Sequence, residues 1–228
     1  MVRKTLTIVC LLILAVSVVT VAQWDYITTF TDPQGDFEQC PPDGCPAYTD
    51  IIKVTYAFNE THVAVNITVA GTIPLPAGVG YVYFYNFFLD VDKNPGTGYN
   101  PWWAYNELGA DYLVQAYIDS TTTRPVARVW KYTGSGGSEW SWGLKLDEYE
   151  ARVSDDRKTI ELYARKEYLE LPSGEVYFAV STQEGDNLAD YLVVGSTTGG
   201  PVPIPEPALL VVASTVAALL IGFTVRRF

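Results

Sequence analysis

The strongest constraint on the fold is a succession of short runs of β-branched and aromatic residues between residues 24 and 196. Gly, Pro, Asn and Asp separate these runs, and that combination is typical of strands joined by turns. In the run 62–70, the apolar residues Val63, Val65 and Ile67 occupy alternate positions, which is the period of a β-strand. The pattern therefore predicts antiparallel strands in which one face is buried and the other is wet.

The predicted strands lie at 51–58, 62–70, 81–90, 111–118, 126–132, 141–146, 150–153, 159–164, 176–182 and 191–194. The run 81–90 is apolar or aromatic on both faces, so we expect it at the centre of a sheet. Residues 165–172 contain the one predicted helical turn. No internal repeat or interior linker divides this region. The sequence therefore predicts one all-β domain over residues 23–196, folded as an antiparallel β-sandwich.

The N-terminus carries a signal for export. Arg3 and Lys4 precede a largely apolar stretch over residues 6–21, and small residues close it. This arrangement predicts a secretory signal peptide over residues 1–22, with an uncleaved membrane helix as the alternative. In either case we expect the remainder of the chain to be exported.

A second apolar stretch lies near the C-terminus, where residues 208–225 carry no charge. As a helix this stretch would reach about 27 Å, close to the hydrocarbon core of roughly 30 Å, so it predicts a transmembrane anchor. Arg226 and Arg227 follow it, and the positive-inside rule places residues 226–228 in the cytoplasm and the domain at the cell surface. The Gly- and Pro-rich residues 197–207 are predicted to form a stalk.

The tail resembles a PEP-CTERM sorting signal. Pro205, Glu206 and Pro207 precede the apolar stretch, and a short basic terminus follows it. The resemblance implies recognition by a membrane sorting protease, which would remove the final helix and leave another anchor in its place.

Charge and composition limit the function. Residues 23–200 contain 11 Lys and Arg against 25 Asp and Glu, a net charge of −14. Such a domain has nothing with which to neutralise a phosphate backbone, so we expect no nucleic-acid partner, and its acidity favours cations over anionic ligands. His62 is the one histidine, and no Gly-x-Ser-x-Gly nucleophile elbow accompanies it. We therefore expect a protein that is not an enzyme, although 25 acidic residues leave a carboxylate pair for glycoside hydrolysis open.

Two features fit an exported chain. Cys40 and Cys45 lie in one Pro- and Gly-containing loop and predict a local disulfide. Asn59 and Asn66 each begin an Asn-x-Thr sequon, and both are predicted glycosylation sites near one hairpin.

A cation site is predicted where the run 81–90 enters a turn. Asp90, Asp92 and Asn94 present side-chain oxygens at alternate positions. Carboxylate and amide oxygens are the ligands that Ca²⁺ takes in proteins. The alternative is a turn in which these side chains bind only nearby backbone N–H groups. Both interpretations stay open at this point.

Aromatic residues supply a second candidate site. Tyr99, Trp102 and Trp103 lie in one loop, and Trp140 and Trp142 lie in another. Sugar rings stack on exposed indole faces, because the C–H faces of the sugar are apolar. The alternative is that these rings are buried as a cap on the open end of the sandwich.

One segment resembles a known family. An Asp-x-Asp-x-Asn-Pro-x-Thr-Gly pattern over residues 90–98, followed by Gly-Ala-Asp-Tyr over residues 109–112, is similar to family-nine carbohydrate-binding modules and the wider DOMON-like group. The resemblance implies a jelly-roll sandwich that binds sugars or, in some branches, haem. The patterns Asp-Pro-Gln-Gly-Asp over residues 32–36 and Asp-Asn-Leu-Ala-Asp over residues 186–190 are similar to that group as well. The resemblance therefore also implies further metal-binding or loop-fixing roles for Asp32, Asp36, Asp111 and Asp190.

Together these features predict a cell-surface, membrane-anchored module that binds a carbohydrate or envelope glycan and contains structural calcium. The alternative is a structural envelope protein, such as an S-layer accessory or an adhesive filament subunit. A groove with exposed aromatic residues favours the first function. Flat aromatic patches or a donated edge strand favour the second.

Overall fold

The fold is known from a computed structural model, which describes residues 24, 26–38, 44–104, 107–171, 174–194 and 202–204. Its strands are β1 (Tyr26–Thr31), β2 (Ile51–Phe58), β3 (His62–Val69), β4 (Tyr83–Asp90), β5 (Tyr112–Ile118), β6 (Val126–Tyr132), β7 (Trp142–Val153), β8 (Thr159–Arg165), β9 (Gly174–Glu184), β10 (Asn187–Val194) and β11 (Val202–Ile204). Within the described ranges the one helical element is a 3₁₀ turn at Trp102–Ala104. The all-β class is therefore confirmed.

The strands form two antiparallel sheets that share one strand. The first sheet has the order β1-β2-β3-β8 and ends with the C-terminal part of β7. The second sheet has the order β10-β9-β4-β5-β6 and ends with the N-terminal part of β7. The runs 141–146 and 150–153, predicted as separate strands, are thus one strand that leaves one sheet for the other. Strand β4 lies between β5 and β9, which confirms its predicted central position.

The main core fills the space between the two sheets. Tyr85 and Phe87 of β4 are buried in it, as are Val65 of β3 and Tyr56 of β2. The ring of Tyr56 stacks on that of Phe178 across the sheets, with centroids 5.1 Å apart. The predicted β-sandwich is therefore confirmed, and burial of these apolar side chains is its principal stabilisation.

A second apolar cluster lies on the outer face of the second sheet. Phe88 alternates with Phe87 along β4, so it points away from the main core. It packs instead with Leu113 of β5, Ala179 of β9 and Trp103 of the loop 91–110. This loop covers the outer face of its own sheet, which explains why residues 81–90 are apolar on both faces.

Three local predictions differ from the structure. Strand β1 was not predicted, because its apolar residues Ile27 and Phe30 do not alternate, although all six of its residues are β-branched or aromatic. It pairs with β2 along its whole length. Residues 202–204, predicted as stalk, pair with Gly174–Val176 of β9. The helical turn predicted at 165–172 does not become a helix. Residues 166–170 form turns, in which Tyr168 N–H donates to the Arg165 carbonyl at 3.0 Å, and Glu170 has a left-handed φ of 47°.

The predicted signal peptide, the sorting motif 205–207 and the predicted anchor 208–225 lie outside the described residues. Among the residues that the structure describes, none belongs to a helix long and apolar enough to cross a membrane.

Candidate ligand pocket and cation site

Strand β4 ends in a turn whose carboxylates bind its own backbone. Asp90 Oδ1 accepts a hydrogen bond from Lys93 N–H at 2.6 Å, and Asp92 Oδ1 accepts one from Asn94 N–H at 2.9 Å. Asp92 Oδ2 also accepts a hydrogen bond from the hydroxyl of Thr97 at 2.9 Å. The Asn94 side chain accepts a backbone N–H two residues further on, at 3.0 Å. These are the contacts of an Asx-rich turn.

Three carboxylates nevertheless converge beside this turn. Asp90, Asp92 and Asp111 each bring one oxygen to within 4.8 Å of the others. Oxygens that share one Ca²⁺ lie at most about 5 Å apart, since each sits about 2.3–2.6 Å from the ion. Asp90 is fully buried, and no hydrogen-bond donor of the described residues reaches its Oδ2. The group therefore has the spacing and the unpaired oxygen that a cation site requires.

Burial raises the pKa of Asp90 to about 7, and the charges of Asp111 and Asp92 raise it as well, against the opposing hydrogen bond from Lys93 N–H. Burial also raises the pKa of Asp111. A carboxyl group whose pKa is higher in the folded state binds a proton more tightly there. For Asp90, protonation therefore contributes fully to folding stability below the unfolded pKa of about 4. This contribution is lost as the pH rises through the folded pKa of about 7.

A second acidic cluster joins the two sheets. Asp32, Asp36 and Asp190 also bring one carboxylate oxygen each to within 4.8 Å of one another. Asp190 Oδ2 accepts a hydrogen bond from Ile51 N–H of β2 at 2.6 Å. Burial, together with the charges of Asp32 and Asp36, raises the pKa of Asp190 to about 8. The predicted aspartate ligands therefore divide into two clusters. The side chain of Asn94, the other predicted ligand, accepts the Gly96 N–H of its own turn.

Two glycines allow the limbs of the loop 91–110 to pack against each other. Gly98 and Gly109 both have a positive φ, of 67° and 55°, which favours glycine. A Cβ atom at Gly98 would overlap the carbonyl of Gly109, and one at Gly109 would overlap the carbonyl of Asn94. Close packing lets Tyr99 and Ala110 exchange two backbone hydrogen bonds of 2.7 Å each.

The loop 91–110 also contacts the turn between β6 and β7, residues 133–141. Asn100 N–H donates to the carbonyl of Gly137 at 2.8 Å. The ring of Tyr99 meets that of Trp140 edge to face, with centroids 5.2 Å apart. The two aromatic segments that the sequence separates by some 40 residues are therefore neighbours.

A cavity of about 430 Å³ opens on the outer face of the second sheet, between these two segments. Four of the five predicted aromatic residues line it, namely Tyr99, Trp102, Trp103 and Trp140. The other lining residues are Phe84, Gln115, Gln183, Gly185, Asp186 and Leu188. The structure thus brings the predicted rings together over a floor that the strands provide.

The four rings differ in exposure. Trp102 is 54% exposed and Trp140 is 51% exposed, and both line the cavity. Trp103 is 5% exposed, and its ring packs against Phe88 with centroids 5.6 Å apart. Trp142 is half-buried and supports Trp140 at 5.7 Å, but it does not line the cavity. Trp102 and Trp140 are therefore exposed, as stacking on a ligand would require, whereas Trp103 is buried, as the alternative predicts.

A polar row crosses the sheet beneath the cavity. Gln115 Nε2 donates to Asn86 Oδ1 at 2.9 Å, and Asn86 Nδ2 donates to the hydroxyl of Ser181 at 3.1 Å. Asn86 is fully buried within an aromatic strand. Sequence reasoning did not select these residues, although an amide in the middle of an aromatic run is a signal that could have identified the row.

The remaining predicted residues lie away from the cavity. Cys45 is disulfide-bonded, and Cys40, its predicted partner, lies outside the described residues. The Asn59 side chain is 7% exposed, and its Oδ1 accepts N–H groups of Thr61 and His62 in the turn between β2 and β3. Asn66 lies on β3, half-buried. Glycosylation of Asn59 and Asn66 therefore stays a prediction from the sequence.

Neither a protein-family model, nor a curated protein, nor a solved structure matches this chain. The resemblance to family-nine carbohydrate-binding modules therefore stays a prediction from the sequence.

Proposed function

We propose that this protein is a cell-surface binding module that holds a carbohydrate in the cavity on the outer face of its second sheet. One observation carries the proposal: Trp102 and Trp140, each about half exposed, line a single cavity together with the amides of Gln115 and Gln183. Indole faces suit the apolar faces of a sugar ring. Amides both donate and accept hydrogen bonds, which suits the hydroxyl groups at its edge.

The size and charge of the cavity narrow the ligand class. Its volume of about 430 Å³ is near the lower end of the range of roughly 300–1,000 Å³ typical of small-molecule sites. A short segment of glycan fits such a space better than a long chain does. Asp186 lines the cavity, and the domain carries a net charge of −14. Repulsion of anions therefore favours neutral over acidic sugars.

Binding without hydrolysis is the activity that these residues support best. Glycoside hydrolysis generally needs two carboxyl groups on either side of the bond that breaks. Of the described residues that line the cavity, Asp186 alone carries a carboxyl group. The protein is therefore proposed to hold its ligand and not to cleave it.

The proposal includes a structural calcium ion at Asp90, Asp92 and Asp111, as supported by their spacing and by the unpaired Asp90 Oδ2. It also includes export and attachment to the membrane through residues 208–225, directly or until a sorting protease acts near Pro205. Export and membrane attachment are proposed from the sequence of the two chain ends, which lie outside the described residues.

The direct test is a glycan array probed with the purified full-length protein, covering neutral and acidic sugars. We expect binding to neutral glycans, with weaker signals for Trp102→Ala and Trp140→Ala. Tyr81→Ala is the matched control, because Tyr81 is also 51% exposed but lies outside the cavity lining. A folded protein that binds no glycan would favour the structural envelope protein instead.

A further inference from the structure

We propose that a divalent cation bound by Asp90, Asp92 and Asp111 sets the shape of the aromatic cavity, so that carbohydrate binding depends on a cation that does not touch the sugar. This inference rests on the proposed function for its ligand, but the link between the cation and the cavity can be tested without a ligand. The loop 91–110 connects the two sites.

The cation site is more than a group of acidic side chains. Asp90 is fully buried, and its Oδ2 receives no hydrogen bond from the described residues, whereas its Oδ1 is paired. An unpaired carboxylate oxygen inside a protein carries a high desolvation penalty. A cation beside Asp92 and Asp111 would satisfy this oxygen and neutralise the mutual repulsion of the three groups.

The three ligands hold both ends of the loop. Asp90 is the last residue of β4, and Asp111 immediately precedes β5. Asp111 Oδ2 already accepts a hydrogen bond from Val91 N–H at 2.9 Å, so the two ends meet at this carboxylate. A shared cation would therefore fix the separation of the ends from which the loop 91–110 begins and returns.

A continuous set of contacts leads from the cation ligands to the cavity wall. Asp92 binds the hydroxyl of Thr97, and Tyr99 follows two residues later, paired with Ala110. The 3₁₀ turn that carries Trp102 begins three residues after Tyr99. Two hydrogen-bonded contacts and two short stretches of chain thus connect Asp92 to Tyr99 and Trp102, so displacement of Asp92 would be passed to both rings.

The same loop positions the opposite wall. Tyr99 also bridges to Gly137 in the turn 133–141, and Asn100 N–H donates to the Gly137 carbonyl at 2.8 Å. Trp140 lies three residues after Gly137 in that turn. Neither Asp90, Asp92 nor Asp111 lines the cavity among the described residues, so the cation would act through the loop and not by ligating the sugar.

The first experiment measures the cation and the cavity without any sugar. Calcium chloride is titrated into the full-length protein, pre-treated with EGTA, while tryptophan fluorescence is recorded. We expect a saturable change that is lost in Asp92→Asn and kept in Asp155→Asn. Asp92 and Asp155 are both exposed, so both substitutions remove one surface charge without opening the core. Of these two residues, Asp92 belongs to the cation cluster and Asp155 does not.

Tryptophan substitutions locate the response. Trp102→Phe and Trp140→Phe together should remove most of the change, whereas Trp24→Phe should keep it, because Trp24 stacks on Tyr163 of the first sheet.

A second experiment repeats the glycan array in calcium and in EGTA. We expect about tenfold weaker apparent binding in EGTA, because fewer molecules hold the competent cavity.

The outcomes separate this inference from the proposed function. Glycan binding that is equal in calcium and EGTA overturns the coupling and leaves the proposed function standing. A calcium response from Trp102 and Trp140 with no glycan bound overturns the proposed function and supports the link between cation and cavity. The same calcium titration is repeated in a calorimeter. Heat without a fluorescence change overturns the link between cation and cavity, and neither heat nor a fluorescence change overturns the cation site itself.

Discussion

Trp102 and Trp103 are adjacent in the chain, yet the structure predicts opposite consequences for their removal. Trp102 is 54% exposed at the cavity, whereas Trp103 is 5% exposed beneath it. Trp102→Ala should therefore weaken ligand binding with little change in stability. Trp103→Ala should lower stability first, since its ring packs between Phe88 and Tyr191 with centroids 5.6 Å and 5.0 Å away.

The magnitudes follow from exposure. For Trp102, stacking contributes about 1 kcal/mol and covering the exposed ring adds a similar amount, so affinity should fall roughly ten- to thirtyfold. For Trp103, replacing a buried Trp by Ala destabilises by about 3–5 kcal/mol. In a protein of this size that corresponds to a decrease in Tm of roughly 6–20 °C.

Two assays on the full-length protein separate the effects. Differential scanning calorimetry gives the change in Tm, and isothermal titration with a glycan from the array gives the change in Kd. Tyr81→Ala serves as the control for loss of an exposed ring. Equal decreases in Tm for Trp102→Ala and Trp103→Ala would refute the reasoning, because both rings would then belong to the core. Unchanged affinity in a stable Trp102→Ala variant would refute the role of this ring in binding.

Four further predictions concern the cation site, the loop and the chain end. Removing calcium from saturating conditions should lower the Tm by roughly 5–11 °C, since a ligand at 100 times its Kd adds about 2.7 kcal/mol; scanning with and without EGTA measures this, and Asp90→Asn should abolish the difference. In EGTA, the Tm should fall as the pH rises from 5 to 8, because the raised pKa values of Asp90 and Asp190 favour the protonated folded state; a Tm that increases over this range would contradict the burial of these carboxyl groups. Gly98→Ala should lower both the Tm and glycan binding, because its Cβ would overlap the Gly109 carbonyl at a positive φ; Gly137→Ala has no such overlap and is the control for strain alone. Deleting residues 208–228 should release the protein into the medium, as measured by fractionation and immunoblotting, and continued attachment to the envelope would show that the domain itself binds there.

The sequence alone determined the fold class and most of the strands. Alternation of Val63, Val65 and Ile67 is a local property, and it is read correctly because the pleat itself has a period of two. The turn after Asp90 is local as well, since its side chains bind backbone groups within a few residues. Strand β1 was missed because its apolar residues do not alternate, and it becomes recognisable only through its pairing with β2.

The cavity was decided by tertiary structure. Its walls, Tyr99 with Trp102 and Trp140, come from two loops, and the rings of Tyr99 and Trp140 meet because the loop 91–110 folds back over the outer face of its own sheet. Its floor, which includes Gln115 and Gln183, comes from β5 and β9, and these strands become near neighbours only through pairing with β4.

The sequence therefore identified the kinds of residue that we propose to bind, whereas the pairing of distant strands decided which of them share one surface. In the same way, Asp111 joins Asp90 across 20 intervening residues, and Asp190 joins Asp32 across the two sheets. Such proximity depends on sheet order and on the return of each loop. No local pattern encodes either, because both follow from burying apolar side chains contributed by the whole domain.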